Sequence, residues 1–384
     1  MKEVITHMPL SPRINPELGY YGIHTQAHII SNLTEKPYLL TGNELGSKKG
    51  GKIEGMEGVL DDLRRLDICV SKIWKDGDAS NISFIQDLIS TGVNNGLISM
   101  EMRETFLCPC GKTEFPNLPE NLSGKQEKTT YEIKDGIVIC KVCGGQAILQ
   151  RSVSLIMKLP DEADFPFIKI YPPFAQSEIR EHLNFFAGKD YILSRSSPRE
   201  VAVSIGEERF WVDSDFYWIP FICHLQQEMK IKVEVLLTGH KTLKQVALSL
   251  LMAKRLGAVL PEIVIATPYI NINFGERPRL KTEEFLSKNG SGVTRLFLGQ
   301  TLGADRKLIC LQSSEAYLIA RALENLPSAE LERPTGEKPP LENFLHRGNS
   351  CRIRGISKKL RRRGYEQLEN IERWLLWAIL HSNS

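Results

Sequence analysis

The chain has 384 residues, of which 42% are hydrophobic and 25% are charged. These proportions are typical of a globular protein, and the length predicts two or three packed domains with a substantial core. No apolar run reaches the roughly 18 to 20 residues of a membrane span, so we expect no membrane partner. The formal net charge of +3 neither indicates nor excludes a polyanionic partner. Residues 1–9 lack the apolar core of a signal peptide, which predicts a cytoplasmic protein without disulfides.

The first hundred residues predict the opening of a parallel sheet. A strand pattern at 3–8 leads through a turn into a helical stretch around 23–33, and a second strand pattern follows at 38–42. This order is that of a parallel α/β unit. Spaced apolar positions across 57–100 predict crossover helices.

The later half resumes the same alternation. Residues 231–237 and 262–266 are apolar strand patterns on either side of an amphipathic helix at 243–256, which predicts parallel strands. After Pro327, proline, glycine and charge predict a linker. The apolar spacing over 365–381 predicts a final helix that packs against the rest of the chain.

Four cysteines carry the most specific chemical signal. They form two short pairs, each followed by a glycine: Cys108, Cys110, Cys140 and Cys143. Two such turns supply four thiolates, and a zinc ion held by four sulfurs has no open position for water. We therefore predict a structural zinc knuckle within residues 106–150; an iron–sulfur cluster is the competing interpretation.

The segment 346–363 is basic. It contains eight cationic side chains and no acidic one: Arg347, Arg352, Arg354, Lys358, Lys359, Arg361, Arg362 and Arg363. Such a patch can neutralise nucleic-acid phosphates, which indicates an RNA partner. A solvated helix face or a linker is the alternative interpretation.

Short segments resemble the class I aminoacyl-tRNA synthetases, in the expected order. Residues 285–294 resemble the mobile lysine loop with its Lys-Met-Ser-Lys-Ser signature, and 302–308 resemble the Gly-Ala-Asp segment that follows it. Residues 209–214 are similar to the Val-Trp-Phe-Asp-Ala strand of the methionine-type branch. Residues 238–243 lie where that branch has Gly-Lys-Asp-Ile, and 40–44 resemble its Thr-Gly-Thr-Asp-Glu turn.

The resemblance implies an α/β fold with a Rossmann-like parallel sheet, a zinc-knuckle insertion and a short C-terminal helical region. The implied domains are the two sheet halves, 1–105 and 191–310, the connecting insertion, 106–190, and a basic helical region, 311–384. Since only about 75 residues follow the Gly-Ala-Asp segment, we expect a shortened and divergent member of the methionine/leucine-type branch.

The resemblance also implies the roles of individual residues. Lys288, Ser287 and His240 would be catalytic. The expected ATP-binding residues are Gly19, Tyr20, Gly239, Lys241 and Thr242. The expected amino-acid-binding residues are Glu44, Trp211 and Asp213. Each also has a structural interpretation, as a surface turn, a core aromatic or a solvated acid.

One departure from the family pattern affects the chemistry. If residues 14–16 match the turn that enters the His-Ile-Gly-His signature, Glu17 and Tyr20 stand where the family has histidines. Those imidazoles stabilise charge at the α-phosphorus, and a glutamate would repel the phosphates. Gly19 is retained.

The resemblance implies activation of an amino acid with ATP and Mg²⁺ as substrates, followed by aminoacyl transfer to tRNA or a small molecule. Three alternatives stay open. One is a non-catalytic paralogue that binds tRNA or a protein. Another is a tRNA-dependent aminoacyl transferase without its own adenylation, and the third is a nucleotidyltransferase with a different substrate.

Overall fold

The computed structural model describes the chain except for short segments. The residues outside it are 13–16, 46–54, 109, 111–112, 115–130, 142, 196–200, 274–281, 313, 325, 327–331, 346–348, 364 and 382–384. Within the described residues, no helix is both long and apolar enough to cross a membrane.

The strands alternate with helices in the first and last thirds of the chain. The first strands are β1 (Lys2–His7), β2 (Tyr38–Gly42), β3 (Lys72–Lys75), β4 (Ile98–Leu107), β5 (Thr113–Glu114), β6 (Tyr131–Lys134), β7 (Ile137–Cys140), β8 (Ile148–Lys158) and β9 (Lys169–Tyr171). The later strands are β10 (Asp190–Ile192), β11 (Ser194–Arg195), β12 (Val201–Ile205), β13 (Glu208–Val212), β14 (Ile231–Gly239), β15 (Ile263–Thr267), β16 (Tyr269–Asn273) and β17 (Leu308–Gln312).

The helices cover both faces of the central sheet. The first seven are α1 (Gly22–Thr34), α2 (Glu57–Arg65), α3 (Ala79–Asn94), α4 (Pro173–Phe186), α5 (Ser214–Trp218), α6 (Phe221–Gln227) and α7 (Leu243–Arg255). They are followed by α8 (Thr282–Asn289), α9 (Ser291–Gly299), α10 (Ser314–Leu323), α11 (Leu341–Leu345), α12 (Asn349–Arg363) and α13 (Asn370–Leu380). Turns of 3₁₀ helix lie at Leu18–Tyr21, His240–Thr242 and Tyr365–Gln367.

Six strands of the described residues form one sheet, in the order β3-β2-β1-β14-β15-β9. Every neighbouring pair in it is parallel. The first three strands extend from β1 in one direction and the later strands extend from β14 in the other. The predicted α/β fold with a Rossmann-like parallel sheet is confirmed, and β1 and β14 meet at its topological switch point.

The strands of this sheet are buried on both faces, as expected when helices cover both sides. Alternate residues of β1 point to opposite faces. Ile5 belongs to a core with α1, α9 and α13, whereas Val4 belongs to a core with α3, α6 and α7. Fully buried β-branched and leucine side chains in β2, β14 and β15 continue both cores.

The middle of the chain contributes more to the central sheet than the sequence pattern indicates. Strands β4 and β8 form a long antiparallel ribbon that leads to the cysteine pairs. Strand β9, however, pairs with β15 at the edge of the parallel sheet, and α4 packs against α7. The sheet therefore takes one edge strand from residues 106–190, which the sequence assigned to the connecting insertion.

The C-terminal helices pack on α1. Helix α13 contacts α1 and α9, so the final helix docks as predicted. The described part of the proline-rich segment that precedes it lies against α13: the Trp374 indole N–H donates to the Gly336 carbonyl at 3.1 Å, and the Asn370 amide donates to the Glu337 carbonyl at 2.7 Å. Residues 332–340 therefore pack against α13 through these hydrogen bonds, whereas their composition predicts a linker.

Candidate functional site

The carboxyl ends of β1 and β14 form the candidate site. In an open α/β sheet, ligands bind in the crevice at this edge, where the strand order reverses. Each of the two strands is followed by a turn of 3₁₀ helix and then by a long α-helix, α1 or α7. The helix N-termini and their free backbone N–H groups therefore lie at the same edge of the sheet, an arrangement suited to anions.

Gly19 lies in close contact with β16. A Cβ atom on Gly19 would lie 2.5 Å from the carbonyl oxygen of Ile270, so no larger residue fits without moving the backbone. This close approach brings the 3₁₀ turn Leu18–Tyr21 against the strand that follows β15. The neighbouring Tyr20 donates its hydroxyl to the Ser11 carbonyl at 3.2 Å.

His240 and Lys241 lie beside the first residue of the same strand, Tyr269 of β16. The Lys241 Nζ atom lies 4.8 Å from the centroid of the Tyr269 ring, and the His240 ring lies 6.3 Å from it in an edge-on arrangement. Partial burial, and to a lesser extent the nearby Lys241 charge, lower the pKa of His240, so its imidazole is neutral at pH 7. A neutral imidazole and an exposed ammonium group are both hydrogen-bond donors to an anionic ligand.

The hydroxyl of Thr242 is engaged within the turn. It donates to the Gly239 carbonyl at 2.8 Å and lies 2.7 Å from the Thr238 hydroxyl. Thr242 therefore fixes the start of α7. Gly239 has extended backbone geometry, and a Cβ there would meet only the Thr242 hydroxyl, at 3.7 Å.

Glu44 follows β2 at the same edge of the sheet. Its side chain is 10% exposed, and its Oε1 accepts from the Met56 N–H at 3.1 Å and lies 3.5 Å from the Lys75 ammonium. Strand β2 is two strands from β14, a separation of about 10 Å. Glu44 and His240 can therefore contact different parts of one ligand.

Trp211 lies on a separate antiparallel sheet, formed by β11, β13 and β12, and Asp213 directly follows β13. The Arg209 guanidinium lies 4.7 Å from the Trp211 ring centroid, and Asp213 is the N-cap of α5, where its carboxylate accepts from the Asp215 N–H at 2.9 Å. Asn81 links helix α5 to the carboxyl edge of the parallel sheet. Its amide donates to the Tyr217 carbonyl of α5 at 2.9 Å and to the Asp76 carbonyl, after β3, at 3.0 Å. These contacts give Asp213 a structural role.

The structure places Ser287 and Lys288 of the predicted lysine loop in helix α8. Ser287 and Lys288 lie in the last turn of α8, where the Ser287 hydroxyl donates to the Glu283 carbonyl at 2.8 Å, one helical turn back. The apolar side chains of Phe285 and Leu286 are buried in the core, which favours a helix here. The Ser-Lys-Asn-Gly sequence is the end of a helix with Gly290, at φ 76°, as the break before α9.

The contacts around Gly290, between α8 and α9, show that this segment lies far from the candidate site. The hydroxyl of Ser291 donates to the carboxylate of Asp67, and the buried Arg295 donates to the Leu66 and Asp67 carbonyls, each at 2.9 Å. Residues 66 and 67 precede β3, at the amino edge of the sheet. Gly19 and His240 thus meet at the carboxyl edge, and exposed Lys288 lies at the opposite edge.

The four cysteines converge at the end of the β4–β8 ribbon. All four sulfur atoms lie within 4.8 Å of one another, with 3.1 Å between Cys108 and Cys143 and 3.7 Å between Cys110 and Cys140. Tetrahedral zinc with Zn–S bonds of about 2.3 Å would place sulfurs about 3.8 Å apart. The backbone N–H of Gly145 points at Cys143 Sγ at 3.4 Å, as in a metal knuckle. The donor set fits a structural zinc ion.

The basic segment forms helix α12, with residues 346–348 outside the described part. Lys359 is paired with Glu372 at 2.7 Å, and Leu360 and Ile356 are buried against the neighbouring helices. Lys358, Arg361 and Arg362 are exposed at the C-terminal end of the helix. The segment thus has one structural face and one cationic face.

Three of the solved structures with a similar fold are of the same enzyme. Two structures of Mycobacterium tuberculosis methionyl-tRNA synthetase with methionyl-adenylate match with TM-scores of 0.63 and 0.64 at 13% and 12% identity, each covering 99% of this chain and 89% of theirs. Its apo form matches with a TM-score of 0.58 at 14% identity, covering 98% of this chain and 86% of that one. The chain has a methionyl-tRNA synthetase-like fold. No protein-family model and no curated protein sequence matches the chain.

The sequence analysis missed two residues of the candidate site. Tyr269 lies beside His240 and Lys241, and Asp76 follows β3 with a completely buried carboxyl group. Tyr269 comes two residues after β15, so the end of a predicted strand was an available signal for it. Asp76 follows the short strand β3, which lies within the region 57–100 that was interpreted as helical, so no strand end marked it.

Proposed function

We propose that this protein activates an amino acid with ATP at the carboxyl edge of its parallel sheet, in the manner of a class I aminoacyl-tRNA synthetase. The amino-acid carboxylate attacks the α-phosphorus of ATP, the bond to the β-phosphate breaks, and pyrophosphate leaves. A hydroxyl or amine of tRNA or of a small molecule then attacks the carbonyl carbon of the adenylate and releases AMP. The proposal combines the synthetase-like fold with the residues at the switch point.

The observation that carries the proposal is the convergence of Gly19, His240 and Lys241 around β16. Gly19 allows the backbone to approach a nucleotide closely. The ammonium group of Lys241 and the neutral imidazole of His240 supply donors at the carboxyl edge, where the family's signature histidines are replaced by Glu17 and Tyr20. ATP binds with Mg²⁺, whose charge offsets the repulsion by Glu17.

Glu44 is proposed to pair with the ammonium group of the amino acid. Lys288 and Ser287 have no role in this proposal, because they lie at the other edge of the sheet. Trp211 and Asp213 support the wall of the site near α5 and make no proposed contact with the nucleotide.

The test is amino-acid-dependent exchange of pyrophosphate into ATP, measured across the twenty standard amino acids. Lys241→Ala should reduce the exchange rate roughly tenfold or more, because it removes a cation at the phosphates. Lys288→Ala removes the same chemical group from the opposite edge and should leave the rate unchanged. A loss of exchange in Lys288→Ala with full activity in Lys241→Ala would contradict the proposed site.

A second candidate follows from Glu17 and Tyr20. Without the signature histidines, the chain would bind tRNA or aminoacyl-tRNA and lack adenylation. The exposed cations Lys358, Arg361 and Arg362 on α12 favour an RNA ligand. No exchange with any amino acid, together with salt-sensitive tRNA binding that the triple alanine variant loses, would support this candidate over the first.

Zinc is proposed to stabilise the insertion, since four thiolates leave no open coordination position. Elemental analysis should give one zinc ion per chain, and Cys140→Ser should abolish it. Cys223→Ser is the matched control, because Cys223 is a buried thiol without paired cysteines. Iron in place of zinc would support the iron–sulfur interpretation.

A further inference from the structure

Asp76 ties together the turns that follow β2 and β3. Its Oδ1 atom accepts the backbone N–H of Glu44 at 2.6 Å and that of Leu45 at 3.1 Å. Its own N–H donates to the Gly42 carbonyl at 3.1 Å. The backbone that carries Glu44 therefore depends on a side chain from the neighbouring strand.

The second oxygen of this carboxyl group has no such partner. Asp76 is 0% exposed, and among the described residues none completes a hydrogen bond to its Oδ2, although the Gly77 N–H lies close to the carboxyl group. An orphan acceptor in the protein interior is costly unless the residue does something else there.

The side chain of Glu44 lies beside Gly77, the residue after Asp76. Its Oε2 atom passes alongside Gly77, where a Cβ atom would lie 3.4 Å from it. Lys75 approaches the other oxygen of Glu44 at 3.5 Å. Two carboxyl groups and one ammonium group therefore share the carboxyl ends of β2 and β3.

We propose that Asp76 is a positioning residue which holds Glu44 as the anchor for the ammonium group of the amino acid, and that its ionisation sets the affinity of this anchor. The inference rests on the proposed function. An ionised Asp76 holds the two amides more tightly than a neutral one and adds negative charge beside the bound cation.

Burial raises the pKa of Asp76 to about 7, the backbone N–H groups of Leu45, Glu44 and Gly77 oppose this shift, and the Glu44 charge adds to it. The other titratable groups at this turn are Glu44, Lys75 and Asp78, and His224 lies nearby on α6, where it accepts a hydrogen bond from Trp74 of β3. Burial lowers the pKa of His224. Amino-acid affinity should therefore rise with pH through this range.

The experiment measures the dissociation constants of the twenty standard amino acids by calorimetry, and then follows the best ligand from pH 6 to 8. Wild-type affinity should increase roughly three- to tenfold over this range. Asp76→Asn keeps the acceptor oxygen but cannot ionise, so its affinity should be independent of pH. Asp78→Asn, a change in the same turn, should keep the wild-type profile. A wild-type profile in Asp76→Asn would overturn the regulation by ionisation.

Hydrogen exchange of the Glu44 and Leu45 amides tests the positioning without any ligand. Both amides should be protected in the wild type and in Asp76→Asn, and should exchange faster in Asp76→Ala. Unchanged protection in Asp76→Ala would overturn the positioning role, whatever the protein binds. If the protection behaves as expected but no amino acid binds the wild type, the proposed function and the role of Asp76 in it both fail, whereas the capping contact stands.

Discussion

The two edges of the parallel sheet hold the two groups of residues that resemble synthetase motifs. At the carboxyl edge, Gly19 and His240 come from distant parts of the chain and meet around β16. At the amino edge, Ser287 and Lys288 end a helix that is fixed to the turn before β3. The first group lies where an open α/β sheet binds ligands, and the second does not.

The difference shows that a short sequence motif indicates a function only when the surrounding fold places it at a ligand-binding edge. The Gly-His-Lys turn follows a strand whose β-branched pattern is unambiguous, so its position at the sheet edge follows from the fold. The Ser-Lys-Asn-Gly segment is equally typical of a helix end, since glycine in the left-handed region often terminates helices. Its buried Phe285 and Leu286 determine which structure forms.

Removal of the Arg295 guanidinium should have the largest effect on stability. It is 4% exposed and donates to the carbonyls of Leu66, Asp67 and Leu380. Arg295→Met should lower the free energy of unfolding by about 3–5 kcal/mol in urea titrations, because one buried and two partly buried carbonyls lose their donor. The control Arg64→Met removes an exposed guanidinium and should change stability by less than about 0.5 kcal/mol. A small effect at Arg295 would mean that the amino edge is not the rigid region inferred from these contacts.

Gly19→Ala tests the close approach at the carboxyl edge. The added methyl group would overlap the Ile270 carbonyl oxygen, so we expect a loss of about 1–3 kcal/mol and weaker ATP binding. Gly58→Ala is the matched control, since no atom lies within 4 Å of its Cβ position and α2 favours alanine. Equal stabilities of the two variants would place the 3₁₀ turn farther from β16.

Two buried and uncharged histidines, His7 and His24, lie near the carboxyl edge of the sheet. His7 ends β1 and packs edge-on against His24, with 4.9 Å between ring centroids, and burial lowers the pKa of His7 to about 4. The folded protein therefore binds fewer protons than the unfolded chain, so stability is present above about pH 6.5 and is lost as the pH falls toward about 4.

His7→Asn retains a side-chain N–H donor and cannot titrate. Its stability should depend less on pH, by about 1–2 kcal/mol between pH 7 and pH 5, than that of the wild type. Urea denaturation at both pH values measures this difference. Parallel pH profiles of variant and wild type would show that His7 keeps its proton affinity on folding.

Much of the fold could be predicted from the sequence, because the spacing of apolar residues indicates which side chains are buried. The apolar runs of β14 and β15 and the amphipathic α7 are each local, and together they require a parallel unit. Strand β9 could not be assigned in this way, because three residues carry little pattern and its partner β15 is distant in sequence. The spacing of the paired cysteines was enough to predict that they come together. The contact between Asp76 and Glu44 depends on β2 and β3 being neighbouring strands, which no local sequence pattern specifies.

Hydrogen–deuterium exchange with and without MgATP tests the central claim most directly, because it reports both edges of the sheet in one sample. We predict slower exchange in Leu18–Tyr21, His240–Thr242 and β16 when nucleotide is added, with unchanged exchange at the break between α8 and α9. Protection around Lys288 and Gly290, with none at the carboxyl edge, would contradict the account.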